Sequence, residues 1–191
     1  MNETKWSETV LLVDADYVDK VAFNLIVNFE RMLERRIPQA DLARWLECAA
    51  LDGGLRPDAR QSVQVVLLHK EQEMRNFAPS RFTQLDGQAF AGELGEFMIS
   101  CVQVEDMVTM DSLFIDSLQV VSNAEEVRRL VLVPDADQLY NKVKEGLRHA
   151  TADKQTTVLS MQPLAGGPFR QEMLGYSLMA ALGISASEIP H

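Results

Sequence analysis

The 191-residue sequence predicts an α/β fold: one domain, a three-layer α/β/α sandwich around a mainly parallel sheet of about five strands. Three observations carry this prediction. Continuous apolar runs, such as Val10-Leu11-Leu12-Val13 and Leu130-Val131-Leu132-Val133, read as strands buried on both faces. Stretches with apolar residues at helical spacing alternate with these runs, as in doubly wound proteins. Both runs quoted lead into the same tripeptide, Asp14-Ala15-Asp16 and Asp135-Ala136-Asp137. Ligands of parallel sheets sit outside the carboxyl ends of the strands. Two strands that deliver Asp-Ala-Asp to one sheet edge would build a carboxylate cluster there.

The elements follow in order. The first strand runs from Thr9 into Asp14. Val18, Val21, Ala22, Leu25, Ile26, Phe29, Met32 and Leu33 then recur at helical spacing, which predicts a helix over 18–36 ended by Pro38. A second helix, over 41–51, stops at Gly53-Gly54, and Trp45 within it reads as packing. Residues 62–68 form the second strand, ending at His69-Lys70. The stretch 70–92 has weak periodicity and carries Pro79, Gly87 and Gly92, so it reads as a long loop with short elements. His69, Lys70, Arg75 and Arg81 on this loop are candidate substrate-binding residues beside the acidic edge; the bland reading is a solvated loop with ordinary charges.

Residues 96–104 make the third strand. Thr109 is an N-cap for a helix through Val120, which places Asp111 in its first turn. Asp116 lies about 140° further round that helix, so the two acids do not face one ion together. Residues 130–134 form the fourth strand. The helix over 138–149 turns Leu139, Val143 and Leu147 inward. Residues 156–160 form a fifth strand. Gly166-Gly167-Pro168 breaks the chain, and residues 161–191 read as a C-terminal helical extension with a Met- and Ala-rich helix over 172–182.

Composition narrows the function. Hydrophobic residues make up 47% and charged residues 24% of the chain, as in ordinary globular proteins. No apolar h-region follows a basic start, and no apolar run approaches the roughly 20 residues of a membrane span, so neither a signal peptide nor a membrane anchor is expected. Cys48 and Cys101 stand alone, without zinc-ligand spacing, and fit a reducing cytoplasm. The net charge of −10 pulls against nucleic acid, because phosphate binding depends on Lys and Arg.

A single Asp after a strand is usually a helix cap. Two Asp-x-Asp pairs after apolar strands, with a third acid at a helix start, go beyond capping. Gathered carboxylates repel and raise one another's pKa, and a hard divalent cation relieves that repulsion. Mg²⁺ or Mn²⁺ takes oxygen ligands and needs only a few carboxylates, which makes Asp14, Asp16, Asp111, Asp135 and Asp137 candidate metal ligands.

These motifs resemble the NYN branch of the PIN-like metal-dependent ribonucleases. Leu11-Leu12-Val13-Asp14-Ala15-Asp16-Tyr17 is similar to the family's strand ending in Asp-Gly-Asp-Asn. Val108-Thr109-Met110-Asp111 and Asp116 resemble its middle Lys-Gly-x-Asp motif and following Asp. Val133-Pro134-Asp135-Ala136-Asp137 resembles its late Ser-Gly-Asp-Ser-Asp. The resemblance covers residues 9–160. It implies a PIN-like sheet with Asp14, Asp111, Asp135 and Asp137 as catalytic metal-site acids. It also implies Mg²⁺- or Mn²⁺-dependent hydrolysis of RNA phosphodiesters, with single-stranded RNA as partner. The middle Lys is absent, Ala15 and Tyr17 replace Gly and Asn, and either Asp111 or Asp116 takes the middle-acid place.

Two other readings are drawn from the same residues. Leu11 to Val18 satisfies the start of haloacid dehalogenase-like phosphatases, where the first Asp is the nucleophile. The Ser or Thr wanted at the end of that family's second strand is missing from Leu67-Leu68-His69. The third reading is a catalytically inactive PIN-like scaffold that works through contacts with another protein or a second copy of itself.

Overall fold

Strand β1 (Thr9–Asp14) is buried along its whole length, and its neighbours on both sides are parallel strands. The computed structural model describes residues 5–57, 61–148, 154–167 and 169–189. In chain order, α1 (Ala15–Leu33), β2 (Ala40–Asp41), α2 (Leu42–Asp52) and β3 (Gln61–His69) follow β1. Next come β4 (Phe77–Ala78), α3 (Phe82–Leu85), β5 (Ala89–Gly92), β6 (Gly95–Gln103) and α4 (Met110–Asn123). The chain continues through β7 (Arg129–Val133), α5 (Ala136–Arg148), β8 (Gln155–Ser160), β9 (Arg170–Met173) and α6 (Leu174–Ala181).

The main sheet has seven strands in the order β5-β6-β3-β1-β7-β8-β9, with β5 antiparallel to β6 and the other pairs parallel. β1, β3, β6, β7 and β8 are the five expected strands. The count of five is too low because β5 and β9 lie on the two edges. β5 is a four-residue run of Ala, Phe and Gly, and β9 reads Arg-Gln-Glu-Met. Neither carries an apolar pattern, since an edge strand needs pairing on one side only. β9 and α6 both come from the stretch read as a helical extension. A separate two-stranded pair, β2 with β4, is shorter still, two residues in each strand.

Alternation along β1 distributes the helices. Leu11 and Val13 join the core layer of α1, α2, α3 and α6, while Val10 and Leu12 join the layer of α4 and α5. In the first layer Trp45 is fully buried, its ring edge-on to Phe77 at 5.9 Å and its indole N–H donating to Ser177 Oγ at 3.1 Å. Trp45 is therefore packing, as its place in an amphipathic helix implies. Gly95 enters β6 with φ +134, and a Cβ there would lie 1.9 Å from the Gln61 carbonyl oxygen, so only glycine lets the β5–β6 turn approach β3.

Helix boundaries differ from expectation for local reasons. α1 starts at Ala15 because Asp14 caps it, and ends at the left-handed residue Glu34, φ 53, ahead of Pro38. α4 begins as expected: Thr109 Oγ1 accepts from Ser112 N at 3.1 Å. α6 starts at Leu174 because residues 172 and 173 pair with β8. Among the described residues, no helix is long and apolar enough to cross a membrane.

Numbered by their place in the chain, the parallel strands run 3-2-1-4-5-6. The order reverses between β1 and β7, the switch point at which such sheets hold ligands. Trp45→Ala removes the largest fully buried side chain and is expected to cost about 3–5 kcal/mol of unfolding free energy. Urea denaturation followed by far-ultraviolet circular dichroism measures it. The same change at half-buried Trp6 is expected to cost less.

Candidate functional site

At the switch point, register sets Asp14 beside Leu68 and Val13 beside Val133, so β1, β3 and β7 end at one level. Beyond it the chain leaves β1 into α1 on one face and β7 into α5 on the other. Asp14 is buried, and its Oδ1 accepts from Tyr17 N at 3.0 Å. Asp135, half-buried, opens α5: its carbonyl accepts from Gln138 N at 3.1 Å and Leu139 N at 2.9 Å. α4 begins at the same edge, with Asp111 half-buried in its first turn. Three helix N-termini thus meet the crevice, and their partial positive charge offsets the gathered carboxylates.

The acids act on one another. Burial pushes the Asp14 carboxyl up to about 7, and the charges of Asp16, Asp135 and Asp111 push the same way against the Tyr17 amide. A carboxylate that only capped a helix would be held down by its amide bond. Asp14 goes up, so burial and like charge outweigh the cap. Burial also raises Asp135, helped by Asp137 and Asp111 and opposed by the amides of Asp137 and Gln138. Asp116 is exposed and exerts none of these influences; Asp111 is the α4 acid that faces the cluster.

Asp16 is placed differently. Its Oδ2 accepts from Lys70 N at 2.7 Å, and both oxygens lie 3.4 Å from Glu71 N, so it fastens the exit of β3 to the start of α1. Burial raises its pKa against those amide bonds. Asp137 is exposed in the first turn of α5. Tyr17, which stands where the resembled motif has Asn, also lies within electrostatic reach of the acids. Burial, then Asp137, Asp135 and Asp14, push its phenol up to about 12, so at neutral pH it remains a protonated donor facing the acids. Its one signal is position, three residues past Asp14 in the first turn of α1.

The basic candidates are dispersed. His69 is buried, its ring stacked on Phe82 at 3.7 Å and its Nδ1 2.7 Å from the Glu71 carbonyl, to which it donates. Lys70 is exposed and reaches the site through its main chain. Arg75 is exposed and lies 3.5 Å from Glu73. Arg81 is exposed ahead of α3. None of the ion pairs among the described residues takes in a cluster acid. Asp19, Glu71, Gln72, Glu73 and Arg75 line a cavity of about 370 Å³, so the surface beside the β3 exit is acidic too.

The donor set is all oxygen, the chemistry of a hard cation. Among the described residues, no three His, Cys, Asp or Glu side chains gather as a ready-made metal group. Mg²⁺ needs only one or two carboxylates and keeps several waters, and the Asp14–Asp135 neighbourhood fits that requirement.

A doubly wound α/β protein with an acidic switch point is the class that fold and crevice define. Within it, the chain belongs to a family of unknown function, DUF6621, whose model matches residues 3–189. No curated protein and no solved structure matches the chain.

Asp14 makes stability depend on pH. Its carboxyl, about 7 in the folded chain and 3.8 as an ordinary value, holds a proton that unfolding releases. The benefit is full below about pH 4 and is lost as pH rises through about 7. Asp14→Asn keeps a capping side chain without the charge. Relative to wild type in EDTA, it is expected to gain stability from pH 4 to pH 8, by up to about 4 kcal/mol. Urea unfolding at a series of pH values measures the difference, and a constant difference contradicts it.

Proposed function

We propose that the crevice is the divalent-cation site of a PIN-like fold and that the chain is a Mg²⁺- or Mn²⁺-dependent ribonuclease-like phosphodiesterase. The observation that carries this reading is that Asp111 and Asp135 lie within electrostatic reach of Asp14 at the switch point, where Asp14 is pushed up to about 7 with no ion pair among the described residues to offset it. Asp14 and Asp135 would hold the ion, with Asp111 and Asp137 around it. When bound, such an ion supplies a water made acidic enough to attack at neutral pH and neutralises charge on the phosphate. Tyr17, a protonated donor, orients a phosphate oxygen. Asp16 holds the β3 exit in place through the Lys70 and Glu71 amides. Exposed Lys70, Arg75 and Arg81 meet the backbone of single-stranded RNA, so binding weakens steeply with salt. Half-buried Cys48 and Cys101, both raised by burial, accord with a reducing cytoplasm as the working compartment. Burial of Asp14 and its bond to Tyr17 disfavour the phosphatase reading, in which this carboxylate attacks in line.

A catalytically inactive scaffold is the second reading. It is favoured by the acidic surroundings at Asp19, Glu71 and Glu73 and by the packing of His69 against Phe82.

Millimolar Mn²⁺ or Mg²⁺ is expected to raise the melting temperature, by about 3–6 °C at tenfold excess over Kd. The double variant Asp14→Asn/Asp135→Asn should be folded and show no rise. Cleavage of single-stranded RNA at low ionic strength with Mn²⁺ supports the nuclease. A metal-induced rise without cleavage of RNA supports the scaffold, and no rise at all removes the cation site.

A further inference from the structure

The chain is acidic overall, yet arginines gather at the amino-terminal edge of the sheet, the end opposite the carboxylate crevice. Arg129 is the first residue of β7 and Arg170 the first of β9, while Arg56 follows α2. Arg129 Nη2 donates to Gln155 Oε1 at 2.9 Å. Its Nε is buried and has no hydrogen-bond partner among the described residues. A buried donor left unmade carries its full desolvation cost, so its position needs a reason.

Gly54 lies between two of these arginines. It takes φ +93 at the end of α2, and a Cβ there would lie 3.8 Å from both Arg129 Nε and Arg170 Nη1. Two guanidinium groups therefore approach one bare spot over a glycine. Burial lowers the Arg129 pKa, and the Arg56 charge lowers it further against Glu8. Beside them lies a cavity of about 280 Å³ lined by Glu8, Thr9, Gln61, Arg128, Arg129 and Gln155. Thr9 donates to Gln61 Oε1 at 3.4 Å, and Arg129 holds Gln155 Oε1, which leaves both amide NH₂ ends without a partner among the described residues. The acids nearby are Glu8, Glu172 and Asp52: Glu172 lies 3.7 Å from Arg170 Nη2 with both side chains exposed, and Asp52, at the end of α2, is pushed up to about 6 by burial and by the charge of Glu172.

We propose that this amino-terminal edge is a binding site for a phosphate group, with Arg129 and Arg170 as its fork. Arginine forks bind tetrahedral oxyanions through paired N–H donors; the terminal N–H groups of Arg129 and Arg170 would take the phosphate, whose charge offsets the desolvation of Arg129. Arg56 and the amide ends of Gln61 and Gln155 add charge and donors at the rim. The group is free phosphate or the phosphate of a small phosphorylated metabolite; the chemistry recognised is the same. The site stands on the opposite sheet edge from the acids and does not rest on the nuclease reading.

Isothermal titration of the full chain with inorganic phosphate and, separately, with glycerol 3-phosphate tests it. EDTA and constant ionic strength exclude phosphate bridged by metal at the carboxylate crevice. One equivalent is expected to bind. Arg129→Gln and Arg170→Gln should each weaken binding about tenfold or more. Arg170 is exposed, so its variant keeps the proposal testable if Arg129→Gln does not fold. Lys142→Gln, an equal loss of charge on the exposed side of α5, should change nothing. Tighter binding of the ester identifies a phosphorylated metabolite as the source, and equal or tighter binding of the inorganic ion identifies free phosphate. Neither compound binding up to about 10 mM, or binding unchanged in both arginine variants, overturns the site.

Discussion

Everything in this protein hangs on the burial of β1 between β3 and β7. A strand covered on both faces and paired on both edges has no solvent to satisfy it, so its side chains must be apolar and every main-chain group must find a ladder partner. Val10 to Val13 meet that demand. Thr9 enters the strand with its hydroxyl bonded to Gln61, and the next polar residue is the one at which the strand stops, Asp14. The same constraint acts on β7, whose apolar run ends at Val133 in register with Val13. Because the helices after the two strands take opposite faces, the ladder opens where the two acidic motifs begin.

That opening accounts for the chemistry of the crevice. Each carboxylate there sits at or inside the first turn of a helix, where main-chain amides and the helix dipole favour negative charge by about 0.3–2 kcal/mol. For an exposed residue this would complete the account. For Asp14 it does not, because the burial that packs β1 also strips water from its carboxyl and brings three other acids within electrostatic reach. Stabilisation by the helix end is smaller than desolvation, and the carboxyl rises towards neutrality. The opposite end of the sheet carries guanidinium groups, set beside Glu8 and Glu172.

The long apolar runs made β1, β3, β6, β7 and β8 legible, because strands buried on both faces need continuous hydrophobicity. Periodicity made α1, α2, α4 and α5 legible, and Thr109 marked the start of α4 through its capping chemistry. The edge strands β5 and β9 left no such mark, being short and half-paired. Asp14, Asp111, Asp135 and Asp137 stood out because each follows a strand or opens a helix. Tyr17 stood out only as a departure from the resembled motif, which has Asn there, and nothing local marks its phenol as near the other acids. The Arg129–Arg170 pair was equally hidden: each arginine is ordinary in its own strand, and only the fold brings both to Gly54.

By itself, the sequence determined which segments are the inner strands and the longer helices and that acids stand at the ends of two central strands. These are local properties, set by side-chain hydrophobicity and by the propensity of Asp and Thr to cap. The tertiary structure alone decided the strand order, and with it that Asp14 and Asp135 flank one crevice. It also decided that Asp111 rather than Asp116 faces them, and that the His69 ring is stacked on Phe82 instead of standing free. Parallel pairing joins segments distant in the chain through main-chain bonds common to all residues. No local pattern encodes which strand lies beside which.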